Sequence, residues 1–164
     1  MRRLKPKYSG PRHPWEKNRI EEEAKLKEKY AFKNKKELWK MKSILTNLRK
    51  QARSLIARKD TKQGKLEIKQ LLDKCYRLGL LPKNSKLDDV LGLNIVDILE
   101  RRLQTIVFKK NLSKTIKHAR QLIVHGKVYV GDKKIVSPSK LVDINEEKEV
   151  RVIGNDRGKE KGKE

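Results

Sequence analysis

The sequence predicts an α+β protein in which an extended basic arm and a helical part precede a small module of two helices packed on a short antiparallel sheet. Three features lead to this prediction. Apolar residues recur at spacings of three and four along residues 37–78 and again along residues 95–124, as in helices buried on one side. After Gly126, short apolar runs between turn residues replace that period. The first 15 residues contain three prolines, which oppose regular structure.

The arm and one short helix occupy residues 1–36. Prolines and glycine among closely spaced basic residues oppose both helix formation and collapse, so the chain up to Trp15 is predicted to be extended. A short helix follows over residues 19–30. There, the glutamates at 21–23 precede three lysines, in the order that a helix dipole favours.

Residues 37–93 form a helical subdomain in this prediction. One helix begins at Glu37, and a second runs from Gly64 to a glycine cap at Gly79. A shorter helix is expected around residues 88–91. Cys75 lies on the apolar side of the second helix, which predicts a buried, unreactive thiol rather than a nucleophile.

Residues 94–153 form the second predicted domain. It is expected to begin with a single helix over residues 95–107. Ser113 is expected to cap the next helix, which ends near Val124 before a glycine turn at Gly126.

Short strands are predicted after that turn. Gly131-Asp132 separates two short β-prone runs and indicates a hairpin. Residues 141–144 and 149–153 are expected to supply further strands. The last segment, residues 154–164, alternates glycine with charge and is predicted to be disordered.

Charge is the dominant compositional feature. The chain has 44 Lys and Arg against 21 Asp and Glu, a formal charge of +23, and such a chain repels itself unless a polyanion neutralises it. Nucleic acid is therefore the expected partner. A single cysteine excludes an internal disulfide and a cysteine-cluster zinc site, so no metal or other cofactor is expected. No apolar run is long enough to cross a bilayer, which favours a soluble, cytoplasmic protein.

The strongest local signal is a stretch without acidic residues. Residues 101–131 contain eight Lys or Arg and no Asp or Glu. In a helical projection of residues 116–124, the apolar side chains share one arc, while Lys117, Arg120 and Gln121 lie on the opposite arc. A helix with one dry side and one cationic side can pack on its own domain and contact phosphates.

The candidate nucleic-acid contacts combine this face with basic residues of the arm and of the first long helix. They are Arg2, Arg3, Arg12, Arg49, Lys50, Arg53, Arg101, Arg102, Lys109, Lys110, Ser113, Lys114, Lys117, His118, Arg120, Gln121, His125 and Lys127. Arginines are expected to bridge phosphates, and lysines to act as point charges. Some alternatives stay open. Arg102 lies nearer the apolar side and could fix the domain internally, His118 and His125 also fit surface imidazoles, and Trp15 or Tyr8 either stacks on a base or packs on the protein.

Both parts of the chain resemble known families. The second domain resembles the S-four RNA-binding domain through Arg101-Arg102-Leu103, Ser113, residues 119–123, residues 125–130 and residues 136–139. The N-terminal part resembles the archaeal form of the small-subunit ribosomal protein four family. The matching segments are residues 11–15, 19–23, 44–45 and 49–53.

The resemblance implies a primary rRNA-binding protein without catalytic activity or a small-molecule substrate. It further implies nucleation of the body of the small subunit and, with neighbouring ribosomal proteins five and twelve, an influence on decoding accuracy. This chain departs from bacterial relatives at two places. It has no cysteine before Cys75, where some of them carry a zinc knuckle, and it has Asn111 and Ser113 where they often place glycines.

Two other classes of protein share part of the pattern. An RNA-cleaving enzyme could use His118 and His125 with Lys117 as acid and base, but the helix face is convex and no nearby carboxylate could orient a ring. Recovery of chemically unchanged rRNA after incubation would exclude that class. A DNA-compacting protein shares the charge but lacks the domain pattern, and equal affinity for duplex DNA and an rRNA junction would favour it.

Overall fold

The structure, a computed structural model, describes residue 6 and residues 8–153. The chain divides into two compact units between Glu100 and Arg101. The predicted contacts of Arg2 and Arg3 and the predicted disorder of residues 154–164 lie outside the described residues. The α+β prediction is confirmed, because the first unit is helical and the second packs helices on a small antiparallel sheet.

Five helices form the described part of the first unit. They are α1 (Lys17–Lys29), α2 (Lys35–Ile56), α3 (Lys62–Arg77), α4 (Leu87–Gly92) and α5 (Ile95–Glu100). The long helix α2 is central, since the other four all contact it or a helix packed on it. Its buried side chains recur every three or four residues: Leu38, Met41, Leu45, Leu48, Ala52 and Leu55. Cys75 on α3 is buried as predicted, and burial raises the pKa of its thiol.

Two residues of the arm, Tyr8 and Ser9, contact α2. The backbone N–H of Ser9 donates to Ser43 Oγ at 3.1 Å, and the Tyr8 ring stacks on Trp39 with 6.1 Å between ring centroids. Tyr8 therefore packs on the protein. Trp15 does not, because its side chain is almost fully exposed.

Helix α3 begins two residues before the predicted start at Gly64. Thr61 is the reason, because its hydroxyl caps the helix by accepting the N–H of Gly64 at 2.9 Å. Gly64 itself is needed for close packing: a Cβ there would lie 2.0 Å from the carbonyl oxygen of Arg58. At the other end, Gly79 adopts a φ of 68° just after the helix, as its predicted capping role requires.

Three helices and a three-stranded sheet form the second unit as far as residue 153. They are α6 (Leu103–Lys109), α7 (Ile116–Val124), β1 (Val128–Val130), β2 (Lys133–Lys134), α8 (Ile144–Lys148) and β3 (Val150–Val152). The sheet is antiparallel with the order β2-β1-β3, and Tyr129 on β1 lies opposite Lys134 and Arg151. Leu103, Ile106, Ala119, Ile123, Val128 and Val150 belong to one buried core that joins α6 and α7 to the sheet.

The predicted single helix over residues 95–107 is wrong, because the chain turns at Arg101 and is extended at Arg102. The backbone there pairs with a distant segment: Val142 N–H donates to the carbonyl of Arg101 at 3.0 Å, and Arg102 forms a β-bridge with Leu141. The stretch therefore makes two helices, of which α5 belongs to the first unit.

Two further local predictions are wrong. Residues 141–144 contribute only the bridge at Leu141 and then enter α8, where the Glu146 carboxylate accepts the N–H of Asp143 at 3.2 Å. Ser113 does not cap α7. Thr115 does, since its hydroxyl accepts the N–H of His118 at 3.1 Å.

Candidate nucleic-acid interface

Helix α7 has the two predicted sides. Ala119, Leu122 and Ile123 are buried in the core of the second unit, whereas Lys117 and Gln121 are exposed. Lys114, one residue before the Thr115 cap, is also exposed, and Arg120 is half-buried. Burial of the apolar side fixes the rotation of α7, and this rotation determines which polar side chains reach solvent.

The N-terminal end of α7 favours negative ligands. No acidic residue lies in its first turn, so no local carboxylate offsets the positive end of the helix dipole. His118 is half-buried at this end, and its Nδ1 is enclosed without a hydrogen-bond partner. Its imidazole therefore presents only part of its surface to a ligand.

The C-terminal end of α7 brings two more predicted residues next to the helix. Gly126, at φ 68°, reverses the chain, and the N–H of Lys127 donates back to the carbonyl of Leu122 at 3.0 Å. His125 and Lys127 flank this turn, and both are exposed. Strand β1 then starts at Val128.

Lys134 is a cation of this region that the sequence analysis missed. Its side chain crosses Gly126, because a Cβ at Gly126 would lie 2.0 Å from Lys134 Cε and 2.7 Å from Nζ. The exposed strand β2 thus places an ammonium group beside the C-terminal turn of α7. The sequence placed Lys134 in the predicted hairpin, but nothing in the sequence indicates that its side chain extends across Gly126.

Several predicted contacts instead hold the second unit together. Arg101 donates to Glu147 Oε2 at 2.7 Å and to the carbonyl of Val142 at 3.0 Å. Lys110 donates from Nζ to the carbonyl of Glu147. Arg102 is 1% exposed, which fits the internal role considered for it. These three side chains do not belong to the exposed set around α7.

Two other members of the predicted set differ in exposure. Ser113 is buried, and its hydroxyl donates to the carbonyl of Thr115 at 3.3 Å. Lys109, at the end of α6, is exposed. Ser113 thus shapes the turn before α7, whereas Lys109 presents its charge to solvent.

Two of the acidic residues that follow the acid-free stretch, Glu146 and Asp132, are bonded to cations. Lys140 Nζ lies 2.6 Å from Glu146 Oε1, and Arg151 lies 3.3 Å from Asp132. Burial by itself would raise the pKa of Glu146, but hydrogen bonds from Lys140 and the Asp143 N–H, with the nearby positive charge of Lys133, outweigh burial and lower the pKa. Glu146 therefore remains ionised beside Lys140 at neutral pH.

The first unit contributes its own predicted residues. Arg12, Lys50 and Arg53 are exposed, whereas Arg49 is half-buried and donates to the carbonyl of Leu93 at 2.6 Å. Arg49 therefore joins α2 to the segment between α4 and α5. Lys50 and Arg53 leave the surface of α2 as cations.

Two other classes of site find no support in the described residues. No group of three or more His, Cys, Asp or Glu side chains in residue 6 and residues 8–153 has the arrangement of a metal site. Among the described helices, none combines the length and apolar character of a membrane span.

Each of the two units matches a known protein family. Residues 2–100 match the family described as Ribosomal protein S4/S9 N-terminal domain, and residues 101–148 match the S4 domain. The boundary between the two matches coincides with the division between the two units.

Three archaeal relatives, each named small ribosomal subunit protein uS4, match most of the chain. The Picrophilus torridus protein is 56% identical over 140 residues, which cover 84% of this chain and 76% of the relative. The Methanococcus maripaludis protein is 49% identical over 155 residues, or 94% and 86% of the two chains. The Thermoplasma acidophilum protein is 47% identical over 143 residues, or 86% and 72%. From the two family matches and these identities, the chain belongs to the uS4 family of small ribosomal subunit proteins.

Proposed function

We propose that this protein is a structural, non-enzymatic constituent of the small ribosomal subunit in the cytoplasm. It binds small-subunit rRNA as a primary binder and nucleates assembly of the body of the subunit. With neighbouring ribosomal proteins five and twelve, it contributes to the accuracy of decoding. The cationic side of α7 carries this proposal, since its apolar side is enclosed by the core and its polar side has no acidic residue.

The chemistry of this face suits duplex RNA. The major groove of an A-form helix is too narrow for side chains, so recognition depends on phosphates, 2′-hydroxyls and shape. Lys114 and Lys117 supply point charges at the positive end of α7, and Lys127 and Lys134 supply them at its other end. Gln121 can donate to ribose or phosphate oxygens, which gives the face a directional hydrogen bond.

The test removes charge from the exposed face alone. The double substitution Lys114→Ala and Lys117→Ala changes two exposed side chains, so the fold should be unaffected. Each lost phosphate contact lowers the slope of log K against log salt by roughly 0.7–0.9, and the pair should lower it by about 1.4–1.8. The slope is obtained by measuring binding to in-vitro-transcribed small-subunit rRNA of Methanococcus maripaludis at salt concentrations from about 50 to 300 mM.

A matched control removes the same charge elsewhere in the second unit. Lys148→Ala with Arg151→Ala also changes two exposed cations, on α8 and β3. This variant should keep most of the slope. Equal loss of slope in both variants would show that binding follows net charge and not the α7 face.

Membership of the subunit has a separate test. Full-length protein expressed in an archaeal host should co-sediment with the small-subunit peak of a lysate. Recovery only at the top of the gradient would contradict the proposed role, whatever the affinity for isolated rRNA.

A further inference from the structure

Trp15 is the most exposed large apolar side chain in the described part of the chain. It is 91% exposed, whereas the other tryptophan, Trp39, is half-buried and bonded to Glu23. An aromatic side chain buries about 150–250 Å² when it packs, so leaving an indole in water forgoes a large stabilisation. The backbone around Trp15 is ordered while its ring remains in solvent, which favours a role for the ring in binding a partner.

The backbone beside Trp15 is fixed from the body of the first unit. Arg19 Nη2 donates to the carbonyl of His13 at 3.1 Å and to the carbonyl of Pro14 at 2.8 Å. The preceding part of the arm is held by the contacts of Tyr8 and Ser9 with α2. The ring of Trp15 therefore extends from an anchored segment.

Arg19 is itself held by a buried carboxylate. Its Nη1 lies 2.8 Å from Oε1 of Glu23, which is 6% exposed, and the same oxygen accepts Trp39 Nε1–H at 3.1 Å. Lys35 Nζ lies 3.4 Å from the other oxygen. Burial would raise the pKa of Glu23, but the hydrogen bonds from Arg19 and Trp39 and the charge of Arg19 outweigh it and lower the pKa. The guanidinium is thus locked in the orientation that reaches both carbonyls.

We propose that Trp15 is a preorganised stacking platform for an unpaired nucleobase of the rRNA, and that Arg19 is the positioning residue that holds it. This inference rests on the proposed rRNA-binding function. It adds a single-stranded contact, made by the first unit, to the duplex contact proposed for α7.

The surroundings of the ring favour a nucleobase over a pocket on another protein. Arg12 and Lys17, both exposed, flank Trp15 in sequence, and the neighbours between them are His13, Pro14 and Glu16. Protein-docking tryptophans lie at the centre of apolar patches, and this segment has none. A stacked base needs only one ring face, with cations nearby for its phosphates. Because the segment is already ordered, stacking of a base does not carry the entropic cost of ordering it.

The first test substitutes Trp15 in the full-length protein. Trp15→Ala should weaken binding to protein-free small-subunit rRNA by about 5- to 150-fold, the range expected for one stacked base. The salt slope should stay unchanged, because no charge is lost. Trp15→Phe should retain part of the affinity. Tyr76→Ala, which removes another exposed aromatic side chain of the first unit, should bind like the wild type.

Fluorescence supplies a readout specific to the ring. The chain has two tryptophans, so the difference between the wild type and Trp15→Phe reports Trp15. That difference signal should be quenched on addition of rRNA, since stacking on a base quenches an indole. Unchanged affinity of Trp15→Ala, or an unquenched signal, would overturn the proposal and leave a protein surface as the occupant.

The second test addresses Arg19. Arg19→Lys keeps the charge but cannot reach Glu23 and two carbonyls together. It should weaken rRNA binding in the wild type and have little further effect in the Trp15→Ala background. An equal effect in both backgrounds would show that Arg19 acts independently of Trp15. If Lys114→Ala with Lys117→Ala lowers the salt slope while Trp15→Ala binds normally, the stacking proposal fails and the proposed function survives.

Discussion

Gly64 provides a sharp test of the packing between α2 and α3, because two considerations predict opposite signs. In a helix, alanine is more favourable than glycine by about 1 kcal/mol, so propensity alone predicts that Gly64→Ala stabilises the protein. A Cβ at this position, however, would lie 2.0 Å from the carbonyl oxygen of Arg58 and 2.7 Å from Thr61 Oγ1. The backbone atom cannot swing aside as a side chain can. Either the turn before α3 moves or the helix shifts.

The structure therefore predicts net destabilisation. Overpacking costs about 1–3 kcal/mol, and displacing the Thr61 cap adds about 0.5–2 kcal/mol, against a gain of about 1 kcal/mol in propensity. The free energy of unfolding should fall by roughly 0.5–4 kcal/mol, measured by urea denaturation followed by circular dichroism. Gly92→Ala is the control, since Gly92 ends α4 with no atom near its added Cβ, and it should be neutral or slightly stabilising. A Gly64→Ala variant as stable as the wild type would refute the steric argument.

Three further substitutions test charged side chains that stabilise the fold. Arg101→Gln should lower the free energy of unfolding by about 1–3 kcal/mol, because its bonds to Glu147 and Val142 are lost. The same variant should leave the salt slope of rRNA binding unchanged, and a slope reduced by about 0.9 would instead indicate a phosphate contact. Because the pKa values of Glu23 and Glu146 are lowered from 4.5 in the folded state, their contribution is present above that pH and is lost as the pH falls through the folded values. Either Glu→Gln variant should thus show a weaker fall in unfolding free energy as the pH drops below 4.5, and a pH profile parallel to the wild type would contradict this.

Periodicity predicted most helices of the fold because each buries one side. The break between α5 and α6 has no such signal, since the apolar spacing of Ile98, Leu99 and Leu103 continues through it. The helix is interrupted there because the backbone groups of Arg101 and Arg102 pair with residues 141–142, a contact that no local pattern reveals. Tertiary pairing overrides helix propensity at this position.

In the candidate site, too, some residues could be predicted from the local sequence and others could not. The exposed side of α7 follows from burial of Ala119 and Ile123, and a helical projection is enough to locate it. Arg101 could not be assigned in this way, because its carboxylate partner, Glu147, lies 46 residues further along the chain. Lys134 was missed for a related reason: its position beside α7 depends on the turn at Gly126.

The attachment of α6 to Glu147 has a consequence for synthesis of the chain. Arg101 and Lys110 lie just before and just after α6, and both bond to Glu147, through its carboxylate and its carbonyl. A helix of 7 residues is too short to persist alone in water. Closing a loop of 46 residues costs about 3 kcal/mol of chain entropy, which the whole second unit must offset together. During translation, α6 therefore becomes stable only after Glu147 has been made.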